Sequence, residues 1–520
     1  AFEAFKLSWV STSNVKGVSQ ATAKIFQEER DVGVDSRNAT RGYVQYLYKM
    51  GVPGKDIMPP ADFSFANLNS LPVPKGKKSG ITHIKKGVFI DAFKKGIKFV
   101  AQGNKEDLKS MAAWELSIVN HLLQAIPDMK GNEYTWRDMF DLINKIVAKA
   151  EVRMPGDDPD KVRLFFIVNI YKYMADVILK KPGHNHLMRN YSNLIGHSWV
   201  GSGAERFLRH FLFGQGPESE WGYADVKAKD TKFKARDLLV HAMMCWFYFK
   251  GDADKSTREF LKWSAHNTAF KYVKWLSDDD LYALVLGVLF SGDFITSTGN
   301  TCHMGEKWEV AKIDLAQRFL DRCKTSPPAG PALSLKDASR LVTHMIDDPY
   351  NMMGDQGDNM HTRIPLVYKE HGLLSLEIFG EWLKETCYMA LKKEEMGIAP
   401  SPIASLDLQA LKEGKYRLDP MRKGTEFLKR RFILVEYGGE RRVVPFREVK
   451  DYHVRVGRST QDQDDPRMNI ARCIGLMWDT MGTNPEAAAF LQRAIDNAVA
   501  QAIVRGIHET EEAVWAGIGD

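Results

Sequence analysis

Ser291-Gly292-Asp293-Phe294-Ile295-Thr296-Ser297-Thr298-Gly299-Asn300 is the stretch on which the reading of this chain turns. It follows the apolar run Leu284 to Phe290, so a buried element delivers it to the edge of a core. A flexible Ser-Gly comes first, and Thr296 and Asn300 follow at fixed offsets. The pattern predicts a loop entering a helix, with small polar side chains turned toward a ligand rich in hydroxyls and phosphates. Carboxylates flank it in the chain, Asp225 and Asp230 upstream and Asp355 downstream.

The upstream segment is Tyr223-Ala224-Asp225-Val226-Lys227-Ala228-Lys229-Asp230. At a strand end the first Asp can point into a metal site while the second lies one turn further on. Phosphoryl transfer to a hydroxyl needs such hard oxygen ligands. A solvated loop of alternating charge has the same composition. Downstream, Tyr350-Asn351-Met352-Met353-Gly354-Asp355-Gln356-Gly357-Asp358-Asn359 predicts a strand, a Gly-Asp turn and a return strand. The apolar approach Met352-Met353 favours Asp355 at the tip, and Gly357-Asp358-Asn359 is the alternative tip. Gln356 cannot supply anionic charge, and Asp358 can compensate for it.

A chain of 520 residues exceeds one simple core and predicts several subdomains. The net charge of +6 is compatible with nucleic acid in an internal channel but decides little alone. Five scattered cysteines, with no CxxC pair, argue against a disulfide framework or structural zinc. No apolar run reaches the roughly eighteen residues of a membrane span. Leu164 to Leu179 is broken by Asn169, Lys172 and Asp176, and no secretory signal opens the chain.

Helices are expected over Asp107 to Ile126, Trp136 to Ala150, residues 236–286, Lys336 to Ile346 and most of the chain after Met468. Lys161 to Leu179 should run from strand into helix, and Tyr350 to Met353 should be a short strand. Phe427 to Val435 and Arg441 to Pro445 read as strands joined by Glu436-Tyr437-Gly438-Gly439. Helices, a mixed middle and terminal helices predict an α+β fold.

Six segments, taken in chain order, resemble the RNA-dependent RNA polymerases of RNA viruses, in particular the partitivirus, picobirnavirus and picornavirus-like groups. They are residues 149–163, 223–230, 291–300, 350–359, 418–423 and 427–432. The resemblance implies a closed right hand. Fingers and fingertips would occupy 1–215, the first part of the palm 216–239, a fingers insertion 240–285, the second part of the palm 286–440 with a primer-grip hairpin at its end, and a helical thumb 441–520. Lys250-Gly251-Asp252-Ala253-Asp254 rivals Asp225, but leaves too few residues before Ser291 for the helical insertion of that family.

The implied activity is RNA-directed RNA synthesis by two-metal nucleotidyl transfer, with Mg²⁺ or Mn²⁺ held by Asp225, Asp355 and Asp358. Ser291 and Gly292 would sit beside the template and nascent pair. Asn300 and Asp230 would bond the ribose 2′-hydroxyl, with Thr296 in support. Arg163 would meet the triphosphate, while Lys161 and Arg153 line its access tunnel. Lys423 would protonate pyrophosphate, and Lys429 and Arg430 would face product RNA. Implied partners are template and product RNA, ribonucleoside triphosphates, and capsid or other viral replication proteins, in the host cytoplasm or the particle. A reverse transcriptase and a non-catalytic RNA-binding protein with a decayed palm are the alternatives.

Overall fold

The computed structural model describes residues 8–9, 35–50, 144–148, 152–153, 164–169, 172–173, 176–177, 194–195, 199, 203–212, 217–227, 229–246, 255–274, 282–325, 333–457 and 465–507. Within them the chain is α+β, with sheets that are mainly antiparallel. Its first part contains β1 (Ser8–Trp9), α1 (Ser36–Lys49), β2 (Asn144–Ala148), β3 (Val152–Arg153) and β4 (Leu164–Ile167). There follow α2 (Gly203–Leu212), β5 (Ser219–Asp225), α3 (Ala235–Trp246), α4 (Lys255–Ala269), β6 (Phe270–Lys274) and β7 (Tyr282–Leu286).

One sheet has the order β4-β2-β6-β7, so strands far apart in sequence share it. Its buried side gathers Ile146, Phe166, Val273, Val285 and Phe290. Two expectations are corrected here. Residues 144–148 are strand rather than helix, because Ile146 and Val147 are β-branched and pair with Phe166 and Phe165. Helix gives way to strand after Ala269, where Lys271 and Val273 face inward while Tyr272 is exposed. The expected helix at Asp107 to Ile126 lies outside the described residues.

The second part runs α5 (Thr296–Thr325), α6 (Leu335–Asp347), β8 (Met352–Gln356), β9 (Asn359–Pro365), α7 (Leu366–Glu370), α8 (Leu376–Cys387), β10 (Gly397–Ala399), β11 (Ile403–Ala404) and α9 (Leu408–Lys412). The central sheet has the order β10-β5-β9-β8. Register assigns its two faces. Val226, Met353, Met360 and Ile364 lie in the core beneath Met304, Trp308, Phe379 and Trp382 of α5 and α8. Trp221 and Met352 pack on the other face against Phe207, Leu208, Phe427 and Phe432.

Helix α5 is 30 residues long and buried along most of its length. Its buried charged side chains are paired inside the fold. Lys307 reaches Asp237 at 2.8 Å, Lys312 reaches Glu309 at 2.8 Å, and Asp314 accepts from the Trp382 indole at 2.9 Å. Helix α1 crosses it, with Lys49 3.1 Å from Glu309. Serine caps start the neighbouring helices. The Ser334 hydroxyl accepts from Asp337 N–H at 3.1 Å to start α6, and Ser375 accepts from Ile378 N–H at 3.2 Å to start α8.

The last part is the hairpin β12 (Arg431–Tyr437) and β13 (Glu440–Phe446), then α10 (Val449–Gly457), α11 (Pro466–Asp479) and α12 (Pro485–Val504). Gly438-Gly439 turns the hairpin as expected, both at positive φ. Proline at N1 with Asp465 or Asn484 as cap starts the last two helices. The helices close on Tyr452, Ile474, Leu491 and Ile495. Among the described residues no helix is long and apolar enough to cross a membrane.

Candidate functional site

The site is built where β5 ends. Asp225, its last residue, pairs in register with Asn359, the first residue of β9, and Asn359 pairs with Gln356 across the β8–β9 hairpin. The loop is therefore Gly357-Asp358. Gly357 takes φ +70°, which a two-residue hairpin turn requires and a side chain resists. Val226 N–H donates to the Asp358 carbonyl at 3.0 Å and ties the tip to the end of β5.

This geometry corrects the expected tip. Asp358 holds it, and Asp355 lies within β8 opposite Met360. The strand runs past Met352-Met353 through Gln356, and the positive φ falls at Gly357 rather than Gly354. Alternation then points Asp355 toward the face of Met353 and Met360, and Asp225 toward the face of Asn359. Asp355 is 1% exposed, and neither carboxylate oxygen has a hydrogen-bond partner among the described residues. Burial pushes its carboxyl well above the usual range, against the pull of Lys229.

Lys229 is the residue that reading the sequence missed. It opens the 3-10 turn Lys229–Lys232, and its ammonium donates to the Gly357 carbonyl at 2.6 Å and to the Asn300 carbonyl. It feels Asp355, Asp358 and Asp225 together, yet burial outweighs them and lowers it to about 8. Its alternation with Lys227 reads as surface charge, and only the turn after β5 brings it inward. Asp230 is on the same turn, with its side chain outside the described residues.

A second lysine meets Asp225 directly. Lys392 Nζ is 2.8 Å from Asp225 Oδ1, and Lys392 N–H donates to the Asp225 carbonyl at 2.8 Å. Burial raises Asp225 to about 7; Lys392 opposes that rise, while Asp358 and Glu395 add to it. Burial also works against the Lys392 charge, but its acidic neighbours prevail and hold the ammonium above its ordinary value. In sequence Lys392-Lys393-Glu394-Glu395 looks like solvated charge; the pairing of β10 with β5 draws it in. Lys423, expected to protonate pyrophosphate, lies in a loop lining a separate cavity with Arg447 and Arg455. No contact joins it to Asp225 among the described residues.

The Ser291 segment enters α5 as predicted. An added Cβ on Gly292 would lie 1.9 Å from the Phe166 carbonyl oxygen, so only glycine permits this approach to β4. Phe166 and Phe290 stack at 3.9 Å beside it. Asp293 is held by Lys172 at 2.5 Å, and Lys172 also binds Asp176 at 2.7 Å. The Thr296 hydroxyl donates to Phe290 and Asp293 carbonyls at 2.5 and 2.7 Å, so it shapes the loop. Ser291 Oγ and Asn300 Oδ1 are buried without hydrogen-bond partners among the described residues. Gly357 N–H donates to Thr301 Oγ1 at 2.9 Å, joining the start of α5 to the hairpin tip.

Further from the tip, Phe427-Leu428-Lys429-Arg430 is a tight turn and not the start of a strand. Phe427 and Arg430 exchange backbone hydrogen bonds at 2.8 and 3.0 Å, and Leu428 and Lys429 take φ of +52° and +60°. Lys429 is outside, 3.2 Å from Glu395. Arg430 turns inward to Asp479 of α11 at 2.5 Å and over the Trp199 ring, and so is spent on packing. Arg153 lies in β3 with its side chain outside the described residues. Lys161, Arg163 and the rival Lys250 to Asp254 also fall outside them.

Among the described residues no three His, Cys, Asp or Glu side chains stand ready to hold a metal ion. The donor chemistry nevertheless fits a hard divalent cation. Asp225 and Asp358 bring carboxylates to the hairpin tip beside Lys229 and Lys392, and the Asp355 oxygens are buried without a hydrogen-bond donor among the described residues. No protein-family model matches the chain, and no curated protein matches it.

Proposed function

We propose that this chain is an RNA-directed RNA polymerase with a right-hand fold, in which the central sheet is the palm and the terminal helices are the thumb. One observation carries the reading. Lys229, just past the strand end at Asp225, donates to the Gly357 carbonyl of the hairpin tip and to the Asn300 carbonyl at the start of a buried helix, and feels the charges of Asp225, Asp355 and Asp358. Asp225 and Asp358 are the residues that would hold Mg²⁺ or Mn²⁺, with Asp355 behind them. Such ions, when bound, activate the attacking hydroxyl and neutralise developing phosphate charge.

The chain's own groups do the positioning. Asn300, whose amide oxygen has no hydrogen-bond partner among the described residues, accepts from a ribose 2′-hydroxyl and selects ribonucleotides. The Gly292 approach to β4 fixes the loop that meets the template. Lys392 keeps a proton on Nζ beside Asp225 and is the group to pass it to departing pyrophosphate, the role expected of Lys423. Catalysis is then mainly orientation and electrostatics.

The test is incorporation on a short RNA template in each metal, from NTP and from dNTP pools. Asp225→Ala and Asp358→Ala should each lower incorporation by about a hundredfold or more while the protein stays folded. Extension at the unmodified rate by either variant refutes the reading, and preference for dNTP marks a reverse transcriptase. Lys229, a cation of the chain's own among the carboxylates, favours a second reading, a palm that binds RNA without extending it. Binding without incorporation in both metals is its signature.

A further inference from the structure

We propose that the cavity between the β12–β13 hairpin and helices α10 and α11 binds a small polyphosphate of the nucleoside triphosphate class. The cavity holds about 800 Å³, within the size range of small-molecule sites. Seven Lys and Arg side chains line it against three carboxylates. Some are neutralised locally: Lys450 lies 2.6 Å from Glu448, and Arg431 lies 3.1 Å from Glu426. Lys423 and Arg455 line the cavity with no ion pair among the described residues.

Arg447 is the deeper group, 4% exposed. Its Nε stands 3.1 Å from Asp479 Oδ2, and Nη2 donates to the Leu428 carbonyl at 3.3 Å. Its Nη1 is buried with no acceptor among the described residues. A buried donor left unsatisfied costs about 1–3 kcal/mol, so this nitrogen calls for a partner. Asp479 cannot supply it in full, because Arg430 shares the same carboxylate. Two guanidinium groups against one carboxylate leave positive charge there. Burial, and then Arg430, pull Arg447 down to about 10.

Guanidinium forks and unpaired ammonium groups match phosphate oxygens better than any neutral ligand. Leu418, Phe446, Val454 and Leu476 supply an apolar wall for a base or ribose. A phosphate of an RNA strand has the same chemistry. The bounded volume and the depth of Arg447 favour a compact ligand over a continuous strand.

Calorimetric titration of the full chain in EDTA tests this, with inorganic tripolyphosphate, GTP and a 5′-hydroxyl RNA oligomer as separate ligands. Tripolyphosphate and GTP should bind, and the double variant Lys423→Glu, Arg455→Glu should weaken both by about tenfold or more. Both side chains are exposed, so the variant should keep the thermal midpoint and circular dichroism of the parent. Asp225→Asn should leave this binding unchanged, which separates it from the central carboxylates. Absence of tripolyphosphate binding, or binding indifferent to the double variant, overturns the proposal. A loss confined to the RNA oligomer also overturns it and assigns the cavity to a strand. Incorporation enters none of these readouts, so the result stands apart from the polymerase reading.

Discussion

Asp355 and Asp358 are three positions apart and have opposite fates. The first is buried in a strand, its carboxylate without a hydrogen bond among the described residues, and the second sits in the turn beside Asp225. Their types were legible in the sequence, but their roles were not. A strand three residues longer than its apolar start Met352-Met353 exchanges them. His361, two residues into β9, shows how far burial governs this sheet. It is fully buried, its Nε2 is 2.5 Å from Thr425 Oγ1, and burial pulls it down to about 3 from an ordinary 6.5. The folded chain therefore keeps a neutral ring where the unfolded chain takes a proton. This contribution is complete above pH 6.5 and is lost as pH falls toward 3. Urea midpoints should drop through that window, and His361→Gln should flatten the slope by on the order of a few kcal/mol. Equal slopes in both proteins would show that this ring does not set the acid limit.

Among elements, the turn Phe427-Leu428-Lys429-Arg430 departs most from what its composition suggests. Alternating apolar and basic residues read as a half-buried strand, but two adjacent non-glycine residues take left-handed φ. Such backbone costs about 1–3 kcal/mol per residue and persists only where packing imposes it. Phe427 and Leu428 supply that packing, against Phe207, Phe432 and Trp199. Lys429→Gly should therefore raise stability by about 1 kcal/mol, because the half-exposed pair with Glu395 returns little. A lower unfolding midpoint would mean that the turn is unstrained. The loop before α5 was legible, since Ser-Gly marks a turn and the polar Thr and Asn that follow mark entry into a helix. β6 was hidden for a different reason. Lys271 faces inward and donates to Gly287 and Val288 carbonyls at 2.6 Å each, which inverts the expected alternation.

At the scale of the molecule, the order of helical, mixed and helical regions followed from periodicity, and the pairing between them did not. Periodicity describes one segment at a time. The sheet that joins residues 144–148 to 270–274 depends on contacts that no local pattern encodes. The junction between the central sheet and the last helices is similar. There Asp479 binds Arg430 from the tight turn and Arg447 from the end of the hairpin. Arg430→Ala should cost about 2–3 kcal/mol, because the pair is mostly buried and the cation over Trp199 is lost as well. Hydrogen exchange should quicken first in residues 466–504, and uniform exchange across the chain would show that the junction is not the weak seam.

Lys229 carries a practical consequence. A tethered counter-ion already offsets the repulsion among Asp225, Asp355 and Asp358, so the native state has no structural debt to a chelatable ion. Purified protein treated with chelator should melt at the same temperature as untreated protein, whereas Lys229→Met should make the melting point depend on added magnesium.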